Sequence, residues 1–300
     1  MKRLAFILMI LFKASLVSAQ NNADSPFTYT VGEFDVILLS EGQQNGKKDV
    51  LIGATTDMFQ QYAPEENLPM AINAFLVKTP EKNILVDTGL GIKLFQNMHS
   101  IGIEPAQIDA ILITHMHGDH IGGMLQNDNV AFSNAEIYIS QPEYDYWMSD
   151  DAMNQLPEGN RGGFIQARKV IDAYKNRLHL FQPDNFEEEN IPLFSGFHGI
   201  STYGHTPGHT SYLVESNGDK ILIWGDIMHM ITIQMPHPEV AVTYDVNPQQ
   251  AITTRMKALE YVTKNNVLIA GMHIPFSGMG TVSKTPQGYE FHEKSECILK

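Results

Sequence analysis

Residues Thr114–His120 read Thr-His-Met-His-Gly-Asp-His, and they follow the apolar run Ile108–Ile113, which is typical of a buried strand. Three imidazoles and one carboxylate stand within six residues, and these are donor groups that bind divalent metal ions. The alternative interpretation is a loop of solvated surface histidines. The density of donors directly after a strand favours a metal site over that alternative.

The spacing within this loop indicates how the donors are arranged. In an extended chain alternate residues share one side, so His115, His117 and Asp119 can converge where the strand ends. Gly118 allows the backbone to turn, and His120 can then face a second centre beside the first. The stretch therefore predicts two metal ions within reach of one loop.

Histidines and carboxylates follow other strands in the same way. The loop Gly204–Thr210 contains His205 and His209, of which we take His209 as the ligand and His205 as a hydrogen-bonding neighbour. Asp226 follows the apolar run 221–225, and His273 follows the run 267–271. A buried carboxylate is costly unless a cation meets it, so Asp226 supports the same site. Asp87, after another strand, either supports the histidine loop or caps a turn.

The amino terminus has the pattern of a processing segment. Lys2 and Arg3 precede an apolar run up to Phe12, and Val17-Ser18-Ala19 offers a cleavage site of small residues. We expect residues 1–19 to be a signal peptide and the mature protein to be exported, either periplasmic or secreted. The apolar run is too short to span a bilayer, so no membrane association is expected after cleavage.

Charge and cysteine content exclude other classes of protein. Removal of residues 1–19, with their three basic and no acidic residues, changes the formal net charge from −14 to −17. This acidity argues against a nucleic-acid partner, because phosphate binding relies on Lys and Arg. The only cysteine, Cys297, can form no intramolecular disulfide and lies far from the histidines in the sequence.

The rest of the chain predicts one domain. Strands are expected at 34–39, 71–78, 83–86, 135–139, 211–215 and 220–224, with a long irregular segment at 40–69. Asn217-Gly218 predicts a hairpin turn, and Asn247-Pro248 predicts the start of the best helix. We therefore expect an N-terminal segment at 20–33 and a single domain at 34–294 in which strands and helices are mixed.

Together, the motifs His-x-His-x-Asp-His, Thr-Pro-Gly-His, Gly-Asp and a late His resemble those of the metallo-β-lactamase superfamily of hydrolases. The Gly204–Thr210 loop, Tyr146-Trp147 and Pro275-Phe276 look most like the methyl parathion hydrolase branch, and quorum-quenching lactonases share the same ligand set. The resemblance implies an α+β fold, an αββα four-layer sandwich with a dinuclear site along one edge.

By the same resemblance, one metal is held by His115, His117 and His209, the other by Asp119, His120 and His273, and Asp226 bridges them. Nitrogen and oxygen donors without a thiolate favour zinc, with manganese, iron or cobalt as alternatives. Asp119 and Asp226 are the expected catalytic residues, because they orient a metal-bridging hydroxide that attacks the substrate.

The expected activity is hydrolysis of a small molecule, with an organophosphate triester or aryl ester first and a lactone of the acyl-homoserine type second. A non-catalytic metal-binding or sensing protein is the alternative from another class, and a homodimer is compatible with the sequence. The resemblance also places three aromatic side chains, Phe95, Trp147 and Phe164, around the substrate's aryl group. The competing interpretation makes them core residues.

Overall fold

The computed structural model describes residues 26–187 and 192–295. The strands in these ranges are β1 (Thr28–Val31), β2 (Phe34–Asn45), β3 (Leu51–Ile52), β4 (Pro69–Lys78), β5 (Asn83–Val86), β6 (Ala110–Leu112), β7 (Leu125–Gln126), β8 (Asn129–Val130), β9 (Glu136–Ser140), β10 (Leu178–Phe181), β11 (Phe197–Ser201), β12 (Thr210–Ser216), β13 (Asp219–Ile223), β14 (Ala241–Val242), β15 (Leu268–Ala270), β16 (Met279–Lys284) and β17 (Tyr289–Glu293). The helices are α1 (Thr56–Tyr62), α2 (Leu94–Ser100), α3 (Gly118–Ile121), α4 (Gln141–Met148), α5 (Asp150–Asn154), α6 (Gly162–Tyr174), α7 (Ile231–Gln234) and α8 (Pro248–Asn265).

Most strands belong to one of two mixed sheets. The first has the order β1-β2-β4-β5-β6-β9-β10, and the second has the order β11-β12-β13-β15-β16-β17. In the first sheet β5, β6 and β9 are parallel neighbours, and in the second β13 is parallel to β15. Short antiparallel pairs, β14 with β3 and β7 with β8, lie outside these sheets.

Alternating side chains along the strands separate the layers. In β2, Val36 and Leu38 belong to the core between the sheets, whereas Ile37 and Leu39 face a second core on the outer side. This alternation follows from the two-residue period of a strand. A strand buried on both faces reads as a continuous apolar run, which is why these strands were visible in the sequence.

Helices cover both outer faces. Trp147 of α4 and Phe164 of α6 pack in the core outside the first sheet, and Leu259 and Val262 of α8 pack outside the second. The result is helix, sheet, sheet, helix, so the predicted αββα sandwich is confirmed. The predicted capping of α8 is also confirmed, because the Asn247 side chain accepts a hydrogen bond from the amide of Gln250.

Several predicted boundaries differ from the structure. β1 pairs with β2 from Thr28 onward, so the domain begins before the predicted boundary at Phe34. The segment 40–69 is not irregular throughout, because β2 continues to Asn45 and α1 begins at Thr56. The predicted signal peptide and Cys297 lie outside the described residues. Among the residues that are described, no helix is long and apolar enough to cross a membrane.

Candidate metal centre

The candidate ligands lie on loops that leave one edge of the sandwich. β5 and β6 are parallel and end before Asp87 and His115, and β13 and β15 are parallel and end before Asp226 and His273. β11 and β13 are both antiparallel to β12, so β11 ends at this edge as well, before His205. Because carboxyl ends of parallel strands meet at one edge, residues distant in sequence come together here.

A first donor group consists of His115, His117, His205 and Asp226, whose ligand atoms all lie within 4.8 Å of one another. The Nδ1 atom of His117 lies 2.9 Å from Nε2 of His115 and 3.0 Å from Nε2 of His205. Asp226 Oδ2 lies 3.3 Å from Nε2 of His205. Three imidazole nitrogens and one carboxylate oxygen thus converge on one point.

A second donor group consists of Asp119, His120 and His273, also within 4.8 Å of one another. His117 is still extended, but α3 begins at Gly118, so Asp119 joins His120 rather than following the alternation predicted from the sequence. Asp226 lies between the two groups. Its Oδ1 is 3.2 Å from Nε2 of His120 and its Oδ2 is 3.1 Å from Nε2 of His273, which is the placement expected of a bridging carboxylate.

Buried polar atoms at this centre lack hydrogen-bond partners among the described residues. They include Nε2 of His120 and Oδ1 of Asp226, which lie 3.2 Å apart but are not aligned for a hydrogen bond with each other. Buried polar groups are normally hydrogen-bonded, and a buried carboxylate oxygen needs a cation or a donor. Nitrogen and oxygen donors with these atoms left over fit divalent metal ions, as the sequence predicted.

The prediction that His209 is the ligand disagrees with this geometry, because His205 takes that place. The Nε2 atom of His209 accepts a hydrogen bond of 2.9 Å from the amide of Asp226. Its Nδ1 lies 2.8 Å from the hydroxyl of Thr202. Both ring nitrogens are therefore engaged within the protein, and His209 supports the backbone of Asp226.

Each of several donor imidazoles is held from behind by a second polar group. Asp87 Oδ2 lies 2.7 Å from Nδ1 of His120, and Asp245 Oδ1 lies 2.8 Å from Nδ1 of His205. The carbonyl of Ala71 is 2.8 Å from Nδ1 of His273. Such partners orient metal-binding histidines, so of the two roles considered for Asp87 the structure supports the one behind the histidine loop.

The charges of the cluster shift the pKa values of its members. Burial lowers the pKa of His117 to about 3, which keeps this imidazole in the neutral form that binds metal. Burial also disfavours protonation of His205, but hydrogen bonds and charges from Asp226 and Asp245 outweigh burial and raise its pKa to about 9. Burial opposes ionisation of Asp226, yet the surrounding histidines, His120 first, hold its pKa well below the usual range.

The centre forms one wall of a cavity of about 650 Å³. Its lining includes members of both donor groups, and residues from the end of β2 and the segment after it form a rim. The lining residues are Gln44, Asn45, Gly46, Lys47, Asp49, Val50, Met70, His117, Gly118, Asp119, His205, Asp226, His229, Met230, Tyr244 and His273. Asp119 has a side chain 32% exposed and is open to this space.

None of the three predicted pocket aromatics is among the residues that line this cavity. Trp147 and Phe164 are buried in the core outside the first sheet, with their rings 4.7 Å apart, and Phe95 packs against that core. At the metal centre, the Trp147 ring packs edge to face with the His117 ring, and the two ring centroids are 5.7 Å apart. The large aromatic side chain at the cavity is Tyr244 instead.

Sequence reasoning also missed His229, whose Nε2 lies 3.1 Å from Oδ2 of Asp226. Its ring stacks on that of His273 at 4.8 Å, and its Nδ1 is buried without a partner among the described residues. The available signal was its position three residues after Asp226, on a segment without strand or helix pattern.

Comparisons with known proteins agree with the fold. A model of the metallo-beta-lactamase superfamily matches residues 68–273. Human acyl-coenzyme A thioesterase MBLAC2 is 28% identical over 173 residues, covering 52% of this chain and 58% of the thioesterase, so the chain spans only part of that relative's length. Among solved structures, the hydrolase AbOPH of the beta lactamase superfamily is 29% identical with a TM-score of 0.80, covering 90% of this chain and 99% of AbOPH. AidC, a dizinc quorum-quenching lactonase in complex with a homoserine product, is 25% identical with a TM-score of 0.78, covering 91% of this chain and 98% of AidC.

Proposed function

This chain belongs to the metallo-beta-lactamase superfamily, and from that premise we propose that it is a dinuclear metal-dependent hydrolase of small neutral esters, with lactones as the first substrate class. The observation that carries the proposal is the pair of donor groups joined by Asp226 in the wall of an open cavity. A site built only to store a metal has no need of such a cavity.

Two divalent ions would be held by the first and second donor groups, with zinc as the first choice and manganese, iron or cobalt as alternatives. When bound, such ions acidify a water molecule and polarise the carbonyl or phosphoryl oxygen of a substrate. The test is elemental analysis of protein reconstituted with each metal. We expect about two zinc ions per chain, and a saturating stoichiometry of one or less contradicts the dinuclear assignment.

The protein's own groups divide the remaining work. Asp226 is buried and faces both donor groups, so its carboxylate sets their separation. Asp119 belongs to the second donor group and is open to the cavity, where its carboxylate would orient the attacking water. Lys47 and Tyr244 stand at the polar rim, where an ammonium and a phenol can hydrogen-bond to carbonyl or amide oxygens of a substrate.

Two observations favour a lactone or simple ester over an aryl phosphotriester. The three aromatic residues expected to bind an aryl group lie outside the cavity lining. AidC, which aligns with 91% of this chain, is a lactonase, and the human relative is a thioesterase. Lactones, esters and thioesters all present a carbonyl carbon to the attacking oxygen.

A phosphotriester is the second candidate, supported by the resemblance of the Gly204–Thr210 loop and of Tyr146-Trp147 to the methyl parathion hydrolase branch. The experiment compares kcat/KM for a homoserine lactone, p-nitrophenyl acetate and a p-nitrophenyl phosphotriester, each with and without chelator. Chelator-sensitive turnover that is fastest on the lactone supports the proposal. Preference for the phosphotriester by a factor of ten or more favours the second candidate, and full metal content with no turnover on any of them favours a non-catalytic metal-binding protein.

We also propose that the chain is exported and that residues 1–19 are removed, since they combine basic residues, a short apolar run and a small-residue cleavage site. The test is amino-terminal sequencing of protein recovered from the periplasm or medium of an expressing bacterium, with Gln20 expected as the first residue. A homodimer is a further proposal, and sedimentation analysis of the purified protein tests it.

A further inference from the structure

Glu143 is a buried carboxylate that neither donor group contains. It lies in the first turn of α4, and only 1% of its surface is exposed. Burial raises the pKa of Glu143, while its hydrogen bonds act in the opposite direction. A buried carboxylate is costly unless its oxygens accept several hydrogen bonds, so its partners indicate what it does.

Within the described part of the chain, four hydrogen bonds reach this carboxylate, and they come from different parts of the fold. Oε1 accepts from the amide of Met116 at 2.9 Å and from Nε1 of Trp147 at 2.6 Å. Oε2 accepts from the hydroxyl of Thr206 at 2.6 Å and from the amide of Gly208 at 3.1 Å. One oxygen therefore holds the loop after β6 of the first sheet, and the other holds the loop before β12 of the second.

Close packing fixes the same two loops against α4. A Cβ atom on Gly208 would lie 1.9 Å from the amide nitrogen of Glu143, so only glycine permits this approach. The hydroxyl of Ser140 donates to the carbonyl of Gly208 at 2.6 Å. The amide of Thr210 also donates to the carbonyl of Thr114 at 2.9 Å, which joins the loops directly.

These two loops carry the three imidazoles of the first donor group. Met116 stands between His115 and His117, and Thr206 follows His205. The distance of 3.0 Å between Nδ1 of His117 and Nε2 of His205 therefore depends on how far apart the loops lie. We infer that Glu143 is a positioning residue that sets this separation and thereby the metal affinity of the first donor group. The inference rests on the metal centre of the proposed function.

A carboxylate suits this position better than an amide of the same size. Both oxygens of a carboxylate accept hydrogen bonds, whereas glutamine offers one acceptor and one NH2 group that only donates. In Glu143→Gln the NH2 group must face one of the two pairs of donors. That pair of donors loses its acceptor, so the two hydrogen bonds to one of the oxygens are broken. The volume of the side chain stays nearly the same.

The experiment measures zinc affinity by competition with a chromogenic chelator, and the visible absorption of the cobalt-substituted protein. Loss of a residue that orients metal ligands typically lowers affinity by about 10–100-fold, which is the result expected for Glu143→Gln at the first donor group. The ligand-field bands of cobalt should shift as well, because the geometry of the imidazoles changes.

Glu41→Gln is the matched control. The Glu41 carboxylate also accepts several backbone hydrogen bonds, from the amides of Leu90, Lys93 and Leu94, but touches neither loop of the first donor group. We expect both variants to lower the melting temperature of the metal-free protein, and only Glu143→Gln to change zinc affinity and the cobalt spectrum. Equal zinc affinity and identical spectra in both variants would show that Glu143 is merely structural.

Thr206→Val provides a second test if Glu143→Gln does not fold. It removes one hydroxyl donor to Oε2 and keeps the carboxylate, and Val replaces Thr with a similar shape. A fall in zinc affinity of at least about threefold supports the inference, and unchanged affinity and spectrum overturn it. Wild-type protein that binds one ion or fewer at saturation instead contradicts the proposed function, so the two failures are distinguishable.

Discussion

Replacing His205 by glutamine should remove one metal ion, whereas the same change at His209 should leave both. His205 supplies one of the four residues of the first donor group, and an amide oxygen is a poor substitute for imidazole on zinc. Loss of a residue behind a ligand costs about 10–100-fold in affinity, so loss of the ligand itself should exceed about 100-fold, or about 2.7 kcal/mol.

The effect of His209→Gln should be smaller because the amide oxygen of glutamine can still accept the hydrogen bond from the amide of Asp226. Its affinity for zinc should fall by less than about tenfold, or about 1.4 kcal/mol. Both side chains are almost completely buried, so the metal-free variants should lose similar stability, about 1–3 kcal/mol each. The two variants are therefore matched in burial and in the residue introduced, and they differ in whether the replaced ring belongs to a donor group.

The assay is zinc stoichiometry by elemental analysis after dialysis, combined with chelator competition. We expect about one zinc per chain for His205→Gln and about two for His209→Gln. If His209→Gln binds one zinc ion and His205→Gln binds two, then His209 is the ligand, as the sequence predicted, and the assignment of His205 is wrong.

Three further outcomes follow from the structure. Asp226→Asn should keep the fold but reduce kcat by more than about 100-fold, because an amide cannot offer a negative charge to two cations. Wild-type turnover in this variant would show that Asp226 has no role in the metal centre. Phe164→Ala should lower the free energy of unfolding by about 3–5 kcal/mol and leave zinc content and KM unchanged. A raised KM for an aryl ester at unchanged stability would instead show that Phe164 binds the substrate. Burial holds the pKa of His117 and His209 at about 3, against about 6.5 in the unfolded chain, so the unfolded state binds more protons. Denaturant unfolding of metal-stripped protein should accordingly show stability falling as pH decreases from about 6.5 to 5, by up to about 1.4 kcal/mol per pH unit for each group, and a flat profile would contradict these shifts.

Strand positions and most metal ligands could be predicted because they follow local patterns. Runs such as 221–224 are apolar at every position since both faces of the strand are buried, and the donors stand directly after such runs. The choice between His205 and His209 was different. It depends on the path of the loop, which Gly204 and Gly208 set by packing against α8 and α4, and no local pattern contains those contacts.

The role of the aromatic residues depends on tertiary packing for the same reason. Phe164 and Trp147 have identical local signals whether they line a cavity or fill a core. Likewise, His229 lies on a segment whose conformation is determined by buried contacts, such as the three carbonyls of Ile227, Pro238 and Val240 that the Arg255 side chain binds.

Because the ligands of the first donor group come from loops of both sheets, neither sheet alone can assemble it. His115 and His117 follow β6, whereas His205 and Asp226 follow β11 and β13, so their nitrogen and oxygen atoms converge only after the inner faces of the two sheets have packed. Metal binding then comes late in folding. Its free energy stabilises the state in which the two sheets are packed together, and not either sheet alone. The bound ions would hold the two sheets together along one edge of the sandwich. Amide hydrogens in the loops at that rim should exchange with solvent faster once the ions are stripped, while those of β16 and β17 at the far side of the second sheet should not change.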